Sequence, residues 1–238
     1  MATRATSLSG FVLLAALLAG CESNASIGVI QVAALGASGE PLAGALAAIE
    51  EGGLFVPAYV YGAQAGTEPT GEEEIPPTPG YFTTVLPRGP KGIHIFAEGY
   101  QVASSEFMLA PKETEVEEVE VRATPMPEGA ARPATENAVF SPSSVTPGNT
   151  TTLTVDVTAA EEDPISAQVL AIQPGEGLAA AFGPPVPEEE GAEAVPANGT
   201  WSATLSAPVE RGSYVYYVVA ASENRMLAPI ITATLIVE

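Results

Sequence analysis

From residue 27 onward the apolar positions of this chain follow a two-residue period. Leu153, Val155 and Val157 alternate with Thr152, Thr154 and Asp156, and Trp201, Ala203 and Leu205 repeat in the same way. That period places successive side chains on opposite faces of a pleated strand, so each such run predicts a strand with one buried face. Val119 and Val121 alternate with Glu118 and Glu120, one face dry and the other wet.

Between these runs lie Gly, Pro and Asn clusters, the punctuation of turns. Val29-Ile30-Gln31-Val32 predicts a strand core, closed by the turn Gly36–Pro41. Leu42–Ile49 predicts a second short strand, because Gly44 and the bounding Gly52-Gly53 disfavour a helix. A loop is expected over 62–80, then a strand over Tyr81–Leu86, a turn over Pro87–Gly92 and a strand over Ile93–Phe96. Gln101–Leu109 and Val116–Val121 complete six or seven strands. Pro125, Pro127 and Pro133 space an extended, semi-rigid linker over 123–135. Beyond it, Ile165–Ile172, Tyr214–Ala220 and Ile230–Val237 are β-branched or aromatic runs of strand length. The expected fold is all-β, with two tandem β-sandwich domains over 27–122 and 136–238.

The first twenty residues follow another rule. Arg4 supplies a positive start, Phe11–Leu18 an apolar core, and Leu18-Ala19-Gly20 a small-residue end before Cys21. This is the pattern of a cleaved secretory signal peptide over 1–20, with an apolar stretch too short to cross a bilayer. Leu18-Ala19-Gly20-Cys21 resembles the lipobox of bacterial lipoproteins. The resemblance implies that Cys21 becomes the new N-terminus and carries the lipid, diacylated on sulfur and acylated on nitrogen. Several acyl chains hold a protein on a membrane where one would not. Residues 21–26 would then be the lipidated cysteine and a short polar tether. The expected place is the cell envelope, extracytoplasmic, at the outer membrane of a Gram-negative bacterium; residue 22 leaves membrane and leaflet open.

The two modules carry their own resemblances. Gly39-Glu40-Pro41-Leu42-Ala43-Gly44-Ala45, Gly80-Tyr81-Phe82, Leu86-Pro87-Arg88-Gly89 and Ala97-Glu98-Gly99-Tyr100 follow, in order, the pattern of the carboxypeptidase regulatory-like domain. This resemblance implies a transthyretin-like sandwich and an accessory module without a reaction of its own. The segment departs from that family in the long acidic, proline-containing loop before Gly80. Ser144-Val145-Thr146-Pro147-Gly148, Gly199-Thr200-Trp201 and Tyr216-Tyr217-Val218-Val219-Ala220 make the second module similar to immunoglobulin-like domains of bacterial surface proteins, without the paired cysteines of antibody domains.

Charge narrows the partners. The chain has 8 Lys+Arg against 29 Asp+Glu, a net −21, and loss of the leader removes Arg4 alone among its charges. Such a polyanion is repelled by phosphate backbones and anionic headgroups, so nucleic acid is not an expected partner. Asp156 and Asp163 are the only aspartates, and the closely spaced Asp/Asn of calcium loops are missing. The acidic runs at 72–74, 161–163 and 188–190 sit in proline-rich loops and read as solvated.

Residue types that do chemistry are scarce. Cys21 is the single cysteine and His94, between Ile93 and Ile95, the single histidine. No metal site of several His or Cys ligands is possible, no G-x-S-x-G occurs, and His94 reads as a strand residue rather than a base. No catalytic residue, metal or cofactor is expected. Aromatic rings stack on sugar faces, so Tyr59 and Tyr61, beside the acidic loop, are the candidate binding residues; Trp201 and the Tyr214–Tyr217 run read as core and tyrosine-corner packing. The expectation is a non-catalytic envelope protein that engages an unknown extracytoplasmic protein through loops or sheet edges, the alternative being a cell-wall glycan.

Overall fold

The computed structural model describes residues 27–56, 60–62, 80–109, 117–160, 162–173, 177–185 and 198–238. The chain is all-β: among the described residues every regular element is a strand. The N-terminal half contains β1 (Ile27–Leu35), β2 (Leu46–Glu51), β3 (Leu54–Val56), β4 (Val60–Gly62), β5 (Tyr81–Pro87), β6 (Gly89–Phe96), β7 (Ala103–Leu109) and β8 (Glu117–Arg122). They form two four-stranded sheets, ordered β4-β5-β1-β8 and β3-β2-β6-β7. β1 runs antiparallel to β5 and parallel to β8. Alternate residues of the two sheets, among them Ile30, Val32, Ile49, Phe82, Ile93 and Ile95, meet in the first core.

Three local expectations change, the first being the strand number: eight among the described residues rather than six or seven, with β3 and β4 unforeseen. The second strand begins at Leu46 rather than Leu42, because residues 42–45 turn, with Gly44 in the left-handed region at φ 78°. The six-residue turn expected over 87–92 shrinks to Arg88. β5 ends at Pro87 in one sheet and β6 starts at Gly89 in the other, so the chain crosses the sandwich within two residues. Pro90 is tolerated there because the pairing of β6 with β2 stops at Gly92. Gly80 has no alternative at its position: φ is 79°, and a Cβ would lie 2.8 Å from the Leu42 nitrogen and 2.9 Å from the Ala34 oxygen.

The C-terminal half holds β9 (Ala134–Ser141), β10 (Ser144–Val145), β11 (Thr150–Thr158), β12 (Ile165–Gln173), β13 (Gly177–Ala181), β14 (Gly199–Ser206), β15 (Gly212–Ser222) and β16 (Ile231–Val237). A three-stranded sheet, β14-β11-β9, faces a five-stranded one, β10-β16-β15-β12-β13, in the immunoglobulin-like manner. Trp201, Tyr216, Phe140, Leu153 and Val155 fill the space between them. Phe140 and Tyr216 meet edge to face with centroids 5.1 Å apart. The Tyr214 hydroxyl donates to the Glu210 carbonyl at 2.8 Å, a tyrosine corner at the start of β15. Trp201 and Tyr216 are each 2 % exposed, the packing role expected of them.

The proline-spaced stretch between the sandwiches is pinned rather than free. Gln101 N–H donates to the Thr124 carbonyl and Met126 N–H to the Gly99 carbonyl, both at 2.9 Å. The Thr135 hydroxyl, already in β9, donates to the Pro229 carbonyl at 2.5 Å.

Candidate functional site

Several strands are apolar on both faces, and this decides how the sandwiches meet. In β2, Ala47 and Ile49 enter the first core while Leu46 and Ala48 point the other way, yet all four are buried. In β15, Val218 and Ala220 enter the second core, and Val219 and Ala221 are buried on the opposite side. The outward set comes together: Leu46, Ala48, Phe96 and Val102 of the first sandwich pack on Leu170, Ile172, Val219, Ala221 and Leu227 of the second. Burying one such large side chain contributes about 1.5–3 kcal/mol. Against a net domain stability of roughly 5–15 kcal/mol, the seam is a third core rather than a loose contact.

Polar groups fix its register. The Val102 N–H donates to the Arg225 carbonyl at 2.9 Å. Glu98 accepts from the Ile230 N–H at 3.1 Å and pairs with Arg132 at 3.2 Å. The turn that offers Arg225 is shaped by Asp163, which is buried rather than solvated as the 161–163 run predicted, because its carboxylate accepts the Ser222 hydroxyl at 2.5 Å and the Asn224 N–H at 3.1 Å. Arg225 itself sits at φ 64°, and the Met226 N–H closes the turn onto the Ser222 oxygen at 3.1 Å.

At one margin of the seam lies the only histidine. His94 Nε2 is 2.7 Å from Glu50 Oε2, and Nδ1 is 2.9 Å from the Ser104 hydroxyl and 3.3 Å from Gln168 Nε2. Phe55 stands edge-on at 5.1 Å. A carboxylate can only accept, which assigns a proton to Nε2, while Nδ1 meets the Ser104 hydroxyl and, across the seam, the Gln168 amide. The structure thus brings a serine, a histidine and a carboxylate together, an association that residue spacing did not reveal because they lie on β7, β6 and β2. The geometry is that of a staple, with Nδ1 engaged by Ser104 on its own sandwich and by Gln168 on the other. On the core side of the same strand, Lys91 is 3 % exposed, with its ammonium 2.8 Å from Glu51. That contact is ionic, since its angles do not meet those of a hydrogen bond.

Of the residues singled out from sequence, Cys21 and Tyr59 lie outside the described residues, as do the glutamate triplets at 72–74 and 188–190. Tyr61 belongs to β4, opposite Thr83 in register. The other aromatic residues divide clearly. Trp201 and Tyr216 are core, Tyr217 packs against the seam, and Tyr100 is half-buried with its hydroxyl 3.4 Å from Glu40. Tyr81, 43 % exposed, stands on the β1–β5 sheet, away from the second sandwich. Among the described residues no group of three His, Cys, Asp or Glu is arranged to hold a metal.

Two surface carboxylates are held as anions. The Thr200 hydroxyl, at 2.6 Å, and then the Asn137 amide, at 2.9 Å, keep the Asp156 carboxyl below its usual range. The Ser38 hydroxyl does the same for Glu40. The five-stranded sheet is the opposite case. None of its strands contains a charged residue, in a chain with 29 acids.

No protein-family model and no curated protein matches the chain. Among solved structures it is similar to fibronectin(III)-like modules of CbhA from Clostridium thermocellum, at 11 % identity over 89 % of this chain and 94 % of that one, TM-score 0.30. A DUF3823 family protein from Bacteroides ovatus matches at 14 % identity over 87 % and 98 %, TM-score 0.28. The Escherichia coli adhesin FdeC matches at 15 % identity over 91 % of this chain and 66 % of that one, TM-score 0.29. Superpositions this loose carry no argument about the chain, and its architecture rests on its own sheets.

Proposed function

We propose that this chain is a non-catalytic protein of the bacterial envelope, held by lipid on Cys21, whose two sandwiches form one stiff block that presents its free sheet faces to an extracytoplasmic protein. The observation that carries the reading is the seam. A buried apolar layer, a backbone hydrogen bond and the His94 staple lock a transthyretin-like module onto an immunoglobulin-like one. Locking fixes which surfaces can meet a partner, because the outer face of the β2–β6 sheet and half of the five-stranded sheet are used internally. A stiff block binds without an ordering cost at its own joint.

The test has two arms. Metabolic labelling with a clickable fatty acid should mark the native protein and leave Cys21→Ser dark; equal labelling of both ends the anchoring claim. Affinity capture from an envelope extract should retrieve one protein with the native chain and less of it with a Ser104→Ala/His94→Gln variant, which lacks the staple; both are assayed for hydrolase activity in parallel. Hydrolysis by the native chain that the variant lacks would replace the binding role with a catalytic one.

A further inference from the structure

The seam covers only part of the uncharged sheet, and the remainder continues it. On the outer face of β15, Val219 is fully buried beneath the first sandwich, Tyr217 packs at the edge of the seam, and Val215 beyond it is 41 % exposed. On neighbouring β16 the outward residues are Thr232, Thr234 and Ile236, the last 47 % exposed. Register sets Thr232 beside Tyr217, Thr234 beside Val215 and Ile236 beside Ser213, so these residues form one contiguous patch. It carries no charge.

We infer that this patch, Val215, Tyr217 and Ile236 framed by Ser213, Thr232 and Thr234, is where a second copy of this chain docks, face to face about a two-fold axis. Two observations support that occupant. The patch continues an interface that the same sheet already makes with another sheet face, through Val219, Ala221 and the edge residue Tyr217. Two copies of a chain at net −21 repel each other, and a face free of charge is where they approach at least cost. An isologous contact also needs one patch only, since each copy supplies the same residues to the other. With two exposed aliphatic residues and a tyrosine per copy, the contact falls in the small, weak class, with a dissociation constant on the order of 10–100 µM. The inference does not depend on the lipid at Cys21, although tethering to a surface would raise the effective concentration.

Cysteine cross-linking tests it in the full exported chain. Val215→Cys and, separately, Thr234→Cys should yield a species of twice the chain mass on mild oxidation, and adding Ile236→Glu should abolish it. Thr204→Cys and Val139→Cys, exposed on the three-stranded sheet, are the controls. Because association here opposes charge repulsion, dimer yield should rise between about 0.05 and 0.5 M salt as repulsion is screened. Circular dichroism of Ile236→Glu should match the native chain, separating loss of docking from loss of fold. Three results would overturn the proposal: no dimer from Val215→Cys and Thr234→Cys, equal dimer from Thr204→Cys, or cross-linking only to a protein of another mass. A dimer that weakens with salt would overturn it too, since ion pairs would then be holding it.

Discussion

The two sheets of the second sandwich share one core and differ entirely on their other side. β11 and β14 alternate without exception: Leu153, Val155, Trp201, Ala203 and Leu205 point inward, while Thr152, Thr154, Ser202, Thr204 and Ser206 face outward. β12 and β15 abandon alternation, and residues on both of their faces are buried. A strand that alternates is finished once its core forms. A strand that is apolar on both faces needs a second cover, which here is the first sandwich. The difference shows that the chain is organised around three apolar layers, two inside the sandwiches and one between them.

The comparison can be broken most forcefully from the side the sheets share. Trp201→Ala should cost about 3–5 kcal/mol in urea unfolding, as for other large aromatic truncations in a core. Val219→Thr then addresses the seam alone. It keeps the shape and buries an unmatched hydroxyl, and a loss of about 1–3 kcal/mol is expected. A loss within experimental error would mean that the face of β15 is wet in solution. Gln168→Ala removes the cross-seam bond to His94 and should cost about 1 kcal/mol, with a coupling to Ser104→Ala resolved by a double-mutant cycle. Thr204→Val, on the outward face of the alternating sheet, should stay within about 0.5 kcal/mol of the native chain.

The smallest expected effect is electrostatic. Asp156 has its folded-state pKa lowered by Thr200 and Asn137, so the stability it contributes is present above the usual aspartate range and is lost as pH falls through the lowered folded value. Asp156→Asn should therefore flatten the acid limb of a thermal-midpoint curve and leave the neutral region nearly unchanged. At a surface position the change is slight, which suits a face finished by hydroxyls.

The alternation of β11, β14 and β8 was legible because a half-buried strand writes its burial into every second residue. The packing of Trp201 and Tyr216 was legible for a related reason, since large aromatics at such positions have nowhere else to go. The left-handed turn at Gly44 and the crossing at Arg88 were not. Each depends on which sheet the next strand joins, a long-range choice. The seam did leave a trace in sequence: Leu46–Ile49 and Tyr216–Ala221 are continuous apolar runs rather than alternating ones. Such runs report two buried faces without saying what covers the second.

Sequence by itself determined the all-β class and the polarity of the alternating strands, because these follow from local periodicity and turn chemistry, while the sandwich form of the first module was implied by a resemblance. It also held every acid away from the strands of the five-stranded sheet. Only the tertiary structure decided that Glu50, His94, Ser104 and Gln168 meet, since they come from four strands of two sandwiches. Only it decided that one outer face is covered and half of another left open. Contacts between residues far apart in the chain are set by how whole sheets pack, and no local pattern encodes which faces become neighbours.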